Sequence, residues 1–575
     1  MKLTRKHVKT FLIVLTVLAS IKMLLQNFSL DEEYHLLMSY RNIMGDGLFT
    51  TMWEPHQTSS FLCTLFMWPY YAITGTFTGV VIYLRLVGTL IHLGIAYYLY
   101  KVLKHFLEEE LSFYIALIFF NTIPKLIMLP EFSGMQVWFG ILCFLFIIDS
   151  VENITFHNKE HLETNISTKQ GLKIAVAAVF MCLEVLSYPS CVLLFVPFLI
   201  MILCFHKEKR FWKGLLFTGV CLIFGVLFAG FFVLKVGLEE LLLNIPAILQ
   251  SDLSHEFGTD EKLHLLLNNL FHYAISFAII TVVAWGLFLI PYIRKHLPER
   301  RGIAFTGLVL LLSNLYQLIM WIGFNKGYEY LQIHLAVTLC LGLWMICFGL
   351  KSSDRFAKYM WCGTLIGFLS LVCVMLLTNL NLLSSITHSM LASLCMLALF
   401  AYIGKEYPSY IYVLLVAFCL TATIGKGYTL RGGFGNYNNV LQSEGLLKHG
   451  PAAGTVSTYM GAYIYNNEYQ LWQEAIPEGS NVLVATNNVQ SANTVQYMFQ
   501  KANVCHYSVI DPAGYEESLL TYWERYPEKK PDIIVVDCWF GNLLFPEDSW
   551  MMQYIEKDFG YTEVIDGDYI KIYKK

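Results

Sequence analysis

The chain has 575 residues, of which 56% are hydrophobic and only 14% charged, with a formal net charge of −4. A soluble domain is about a quarter charged, so this composition excludes an ordinary soluble protein, and the near-neutral balance provides no basic footprint for nucleic acid. Apolar runs close to the roughly 20 residues that cross a bilayer recur along the chain, which reads as a polytopic α-helical membrane protein.

The opening segment, MKLTRKHVKTFLIVLTVLASIKMLL, has the basic flank and apolar core of a signal peptide. No small-x-small cleavage site precedes the polar stretch, so it reads as a retained signal-anchor helix. Loop one follows, about Asp31 to Gly79, with DEEYHLL, GDGLF, TMWEPHQTSSF and FMWPYY in turn. Its periodicity predicts one or two amphipathic helices along the membrane surface, apolar faces down. About 13 spans are expected in all, near 10–30, 80–100, 112–130, 134–150, 172–187, 189–205, 213–235, 266–292, 303–324, 331–350, 357–378, 383–403 and 409–424. With the N-terminus in the cytoplasm, the inner connections hold about 21 Lys and Arg and the outer ones about 4. An odd number of spans then places loop one and the C-terminal tail on the outer face, and a plasma membrane is expected.

From about Lys426 the composition turns to Gly, Asn, Asp and Glu. NVLVAT (Asn481–Thr486), VCHYSVI (Val504–Ile510) and DIIVVDCW (Asp532–Trp539) predict short buried strands. VQSANTVQYMFQKA and GYEESLLTYWERY carry helical periodicity between them, and YTEVIDGDYIKIYKK reads as a closing hairpin. The pattern implies a small α/β unit, dividing the chain into a membrane module, 1–425, and an extracytoplasmic domain, 426–575. No GxGxxG or P-loop follows its strands, so a docking or lid role is the plainer expectation. Of 14 cysteines, Cys505 and Cys538 alone fall in this tail, where a disulfide could join them. The chain has no internal repeat, which weighs against a transporter built from duplicated halves.

Three acids, Asp31, Glu32 and Glu33, open loop one. Acids in a first helical turn commonly satisfy free N–H groups and the dipole, so capping competes with catalysis here. Glu131, in the short outer turn of IPKLIMLPEFSG, is a second outward acid. Lys22, Arg85, Lys125 and Lys326 lie near the outer ends of apolar runs. A cation in hydrocarbon costs about 2.5–3.5 kcal/mol, so it faces the bundle interior or a polar ligand unless it snorkels. Carboxylates beside cations at headgroup depth suit attack of a hydroxyl on a sugar held by a lipid phosphate. A carboxylate takes the acceptor's proton, and cations stabilise the leaving phosphate.

Asp31-Glu32-Glu33-Tyr34, Gly45 and Glu54-Pro55-His56-Gln57, with Arg85 in LRLVG, resemble the C-type (GT-C fold) membrane glycosyltransferases. The nearest kin are the protein O-mannosyltransferase and lipid A aminoarabinose transferase group. The resemblance implies a polyprenyl-phosphate sugar donor used on the outer face. It also implies Asp31 as the favoured base, Glu32 close behind it, and Glu131 as the second acid. EPHQTS stands where the aminoarabinose group has a Lys-Pro-Pro-Leu type motif.

The expected donor-side residues are Arg85, Lys125, Lys326, His56 and Gln57, with Tyr328 and Glu329 of GYEYLQIH suited to the headgroup. Interfacial belt aromatics explain the last motif equally well. One His beside scattered acids is a weak metal set, so no cofactor is firmly implied. The expected activity is inverting transfer of a sugar to an extracytoplasmic glycan, lipid or protein. The alternatives are a transporter or flippase of a lipid-linked substrate and a lipid-diphosphate-dependent polymerase or ligase.

Overall fold

Long apolar runs become helices and the polar tail becomes a sheet. The computed structural model describes residues 5–26, 30–151, 166–206, 209–250, 259–324, 332–350, 354–377, 385–430, 439–485, 502–505, 508 and 516–575. Helix α1 (Arg5–Leu25) leads into α2 (Leu30–Met44), α3 (Gln57–Thr74), α4 (Val80–Leu103), α5 (Glu109–Asn121) and α6 (Phe132–Asp149). Then come α7 (Ile166–Ser187), α8 (Phe195–Phe205), α9 (Arg210–Val236), α10 (Leu238–Gln250), α11 (Thr259–Leu289) and the short α12 (Pro291–Lys295). The membrane part closes with α13 (Arg301–Leu318), α14 (Gln332–Cys347), α15 (Arg355–Leu377), α16 (Met390–Ile403) and α17 (Pro408–Tyr428).

Among the described residues, nine helical segments are long and apolar enough to cross a membrane, in α1, α4, α6, α7, α9, α13, α15, α16 and α17. The protein is therefore a multi-pass helical membrane protein. The other expected spans take different forms. Pro189–Phe205 and Ala274–Leu289 are shorter apolar helices, and α14 has 16 residues. The run expected as a helix over 112–130 stops at Asn121, because Pro124 and Pro130 deny the backbone its ladder.

Sidedness explains where each helix sits. A helix apolar all round belongs inside a bundle or in lipid, and both outcomes occur. Every residue of α16 is buried, and it packs with α15 and α14 at the centre. By contrast α9, just as apolar, leaves Leu222, Val226 and Leu234 exposed on its outer side, a surface suited to lipid.

The tail begins with a two-stranded piece, β1 (Gly445–Leu446) and β2 (Val456–Ser457), followed by α18 (Tyr459–Ala475). The main sheet contains β3 (Asn481–Ala485), β4 (Ala502–Asn503), β5 (Ile533–Trp539), β6 (Asn542–Leu543), β7 (Glu563–Asp566) and β8 (Ile570–Lys574). Its path is β4-β3-β5-β8-β7, parallel through β4, β3 and β5 and antiparallel through β8 and β7, with β6 paired on β5. The Val482–Ala485 run pairs with Ile533–Val536, which buries apolar side chains on both faces, as a parallel core requires. Helices α19 (Glu516–Arg525) and α20 (Trp550–Tyr554) cover one face, with Leu519, Tyr522, Trp523 and Met551 against Leu483 and Ile534. Helix α18 covers the other through Trp472 and Ala475. The expected hairpin is β7–β8. The helix expected over VQSANTVQYMFQKA lies almost wholly outside the described residues, and no disulfide joins Cys505 and Cys538.

Candidate active site

The site grows from the irregular segment between α5 and α6. All of residues 122–131 are buried, although none belongs to an α-helix. Irregular backbone survives at membrane depth only inside protein or along a cavity. Local bonds serve this one: Leu126 N–H donates to the Ile123 carbonyl at 3.2 Å and Ile127 N–H to that of Pro124 at 2.9 Å, while the Gln26 amide donates to the Leu126 carbonyl at 3.1 Å. Gly88 of α4 makes room for the segment, since a Cβ there would stand 1.6 Å from the Met128 carbonyl oxygen. Lys125 and Leu126 both adopt left-handed backbone, φ 50° and 58°. Such conformations cost about 1–3 kcal/mol each and cluster at functional sites. Here they turn the Lys125 side chain towards α2.

Each first-turn acid of α2 meets a different environment. Asp31 accepts a hydrogen bond from the Lys125 ammonium at 3.1 Å and keeps 20% of its side chain exposed. Glu32 is buried and takes Arg85 bidentately, Nε to Oε1 at 3.0 Å and Nη2 to Oε2 at 2.8 Å. Arg85 also donates to the carbonyls of Leu24 and Gln26, so it ties the end of α1 to the start of α2. Glu33 is buried too, facing Glu468 of α18, and burial pushes the carboxyls of both well above the usual range.

Glu131 is the N-cap of α6. Its carboxylate accepts from the Ser133 N–H at 2.8 Å and from the Gly134 N–H. Burial pushes the Glu131 carboxyl up to about 7, against the pull of Lys125 and of the Ser133 N–H, with the Asp31 charge adding to the rise. Asp31, Lys125 and Glu131 therefore share one electrostatic site. The ring of Phe132 forms its wall. The Lys125 ammonium sits 4.6 Å over that ring, His56 stacks on it at 4.2 Å, and His35, one turn along α2 from Asp31, is 6.0 Å away. Burial holds the His35 imidazole down to about 3, so it is neutral.

The rest of loop one is fastened to the tail. Arg41 donates to Asp46 at 2.8 Å, to Glu54 at 3.0 Å and to the Cys505 carbonyl at 2.9 Å, and Lys529 pairs with Asp46. Burial lifts the Glu54 carboxyl to about 6 despite Arg41. Gln57 accepts from the Phe49 N–H at 2.6 Å. Helix α2 is consequently enclosed, with Glu32 to Tyr40 all buried. It does not lie open along a membrane surface as its periodicity suggested, because α3, α4 and the tail cover it.

Sequence reasoning thus named three groups that the fold brings together, Asp31, Lys125 and Glu131, with His56 beside them. Glu32 and Arg85, expected on substrate, are committed to each other. Gln57 supports the loop backbone, and Glu54 pairs with Arg41. Lys326, Tyr328 and Glu329 lie outside the described residues. Lys22, outside the site, donates to the carbonyls of Lys426 and Thr429 at the end of α17, a helix C-terminus that favours a cation. Among the described residues, no three of His, Cys, Asp and Glu stand close enough to share a metal ion. His35 and Phe132 were missed. The first was marked by its four-residue spacing from Asp31, and the second only by adjacency to Glu131.

No protein-family model matches the chain, and no curated protein matches it. Among solved structures, the chain is similar to ArnT from Cupriavidus metallidurans bound to undecaprenyl phosphate, at 11% identity and a TM-score of 0.45, covering 99% of this chain and 98% of that one. It is also similar to an Archaeoglobus fulgidus oligosaccharyltransferase in complex with zinc and sulfate, at 11% identity and a TM-score of 0.44, covering 92% and 67%.

Proposed function

We propose that the protein transfers a sugar from a polyprenyl-phosphate-linked donor to an acceptor hydroxyl at the outer face of the membrane. Asp31 takes the proton of the acceptor hydroxyl, whose oxygen attacks the anomeric carbon as the bond to the phosphate oxygen breaks, with inversion. Lys125 stabilises the charge that gathers on the departing lipid phosphate. Glu131, buried and half-titrated near neutrality, sets the field around that ammonium. The Arg85–Glu32 clamp fixes α2 so that Asp31 faces Lys125. The charge bias of the connections supports a cytoplasmic N-terminus, and with it an extracytoplasmic site and tail. The donor sugar is a hexose or pentose, and the acceptor is a glycan, lipid or protein.

One observation carries this reading. Asp31 is the acid of the group that keeps an exposed edge, and it stands 3.1 Å from a lysine whose ammonium makes a single hydrogen bond among the described residues. An ammonium has three donors, so Lys125 retains capacity for an anion while held beside a base. Lys125→Gln, purified in lipid nanodiscs, should bind undecaprenyl phosphate about tenfold or more weakly than wild type, as expected for loss of a charge-assisted bond. Unchanged affinity would remove Lys125 from the phosphate site and leave the reading without its cation.

A further inference from the structure

Beneath the Phe132 wall lies a polar cell that the transfer chemistry does not use. Gln136, one turn into α6, donates its amide N–H groups to Glu184 Oε1 at 2.6 Å and to Ser370 Oγ at 3.0 Å. With its NH2 towards Glu184 and Ser370, the amide oxygen faces the other way. That oxygen meets His388 Nδ1 at 2.6 Å, which therefore carries the proton. The chain Glu184–Gln136–His388 thereby fixes one tautomer and leaves His388 Nε2 as a bare acceptor. Both His388 Nε2 and Glu184 Oε2 are buried without a hydrogen-bond partner among the described residues. Gln136, Glu184 and His388 are each at most 2% exposed.

Two buried polar atoms that lack a partner among the described residues are costly unless a ligand hydrogen-bonds to them. Gln136, Glu184, Ser370 and His388 line one cavity, with Gly140 in its wall. A Cβ at Gly140 would come within 2.6 Å of Glu184 Oε1, so glycine keeps the carboxylate in place. The cavity has room for about one water-sized group. A row of ring contacts separates it from the site: His388 edge-on to Tyr188 at 5.2 Å, Tyr188 edge-on to His56 at 5.2 Å, and His56 stacked on Phe132 at 4.2 Å.

We propose that this cell reads one hydroxyl of the donor sugar: the hydroxyl donates to His388 Nε2 or Glu184 Oε2, and the four polar side chains form a sugar subsite beneath the phosphate. The inference rests on the transferase reading. A single hydroxyl has the size of the cell and supplies one donor, to His388 Nε2 or to Glu184 Oε2. A subsite built on buried acceptors discriminates strongly against a ligand without the matching O–H.

The test uses the full-length protein in nanodiscs, as wild type, His388→Phe and Glu184→Gln, each checked for monodispersity. Affinities are measured for undecaprenyl phosphate and for undecaprenyl-phosphate glucose, mannose and galactose. The expected result is that at least one sugar-bearing lipid binds wild type about tenfold or more tightly than the bare lipid phosphate. Both variants should narrow that preference to under about threefold while binding the bare lipid phosphate as wild type does. Two results overturn the subsite: no sugar-bearing lipid preferred by wild type, as for a cell that holds only a water, or a preference that survives in both variants. Failure of wild type to bind even undecaprenyl phosphate would instead overturn the transferase reading.

Discussion

At the scale of residues, four acids that look interchangeable in sequence are separated by their surroundings. Glu32 is buried against Arg85 in bidentate geometry. Removing one partner of such a pair leaves an uncompensated buried charge and costs about 3–5 kcal/mol. Arg85→Leu should therefore lower the unfolding temperature sharply, and the double variant with Glu32→Gln should recover a substantial part of the loss. Equal damage in the single and double variants would show that the pair is not the clamp described. Glu131 provides a pH signature. Its carboxyl is raised from an ordinary 4.5 to about 7 by burial, so the native state holds its proton more tightly than the unfolded chain. The associated stability is fully present below about pH 4.5 and is lost as pH rises through about 7, a swing on the order of 3 kcal/mol. Glu131→Gln has no such proton to lose. Its unfolding temperature relative to wild type should therefore climb between pH 5 and pH 8, and a pH-independent difference would contradict the assignment.

At the scale of elements, the segment over residues 122–131 does the positioning, and its fit against α4 is the place to perturb it. Gly88→Ala puts a methyl where the Met128 carbonyl oxygen lies 1.6 Å from the ideal Cβ, whereas Gly94 of the same helix has open space. Alanine is a better helix former than glycine by roughly 1 kcal/mol. Gly94→Ala should thus be neutral or mildly stabilising, and Gly88→Ala should displace the Lys125 segment and depress sugar transfer at least tenfold. Equal transfer by the two variants would mean that the segment's placement does not matter.

The helices were legible in sequence because apolar runs of bilayer length permit little else. The break at Asn121 was also signalled, by Pro124, although the apolar run through Pro130 masked it. Helix α18 was overlooked, despite Thr458 standing ahead of it and accepting from the Gly461 N–H as a side-chain cap. The burial of α2 could not be read locally. It depends on Ser508 and Cys505 of the tail reaching Arg41, and on Glu468 facing Glu33, contacts separated by hundreds of residues. For the same reason Lys125 and Glu131 were recognisable as charges out of place, while the partners of Arg85, Glu54 and Gln136 were not.

At the scale of the whole molecule, a membrane bundle and a small α/β unit close over one polar site. The unit grips loop one through Arg41, Asp46, Glu54 and Lys529, and it also meets α10, where Tyr526 donates to Glu240 at 2.7 Å and Arg525 to Asn244 at 2.8 Å. That grip encloses α2 from above while α3 and α4 hold it from the sides, leaving Asp31 at the edge beside Lys125. The transfer chemistry depends first on Asp31 as the base. The direct measurement is release of undecaprenyl phosphate from undecaprenyl-phosphate sugars by wild type and by Asp31→Asn in proteoliposomes, with lipid binding measured in parallel. Loss of a general base typically costs about 10²–10⁴-fold in rate. Turnover by Asp31→Asn should fall at least a hundredfold with undecaprenyl phosphate still bound, and turnover within a few-fold of wild type would contradict Asp31 as the base.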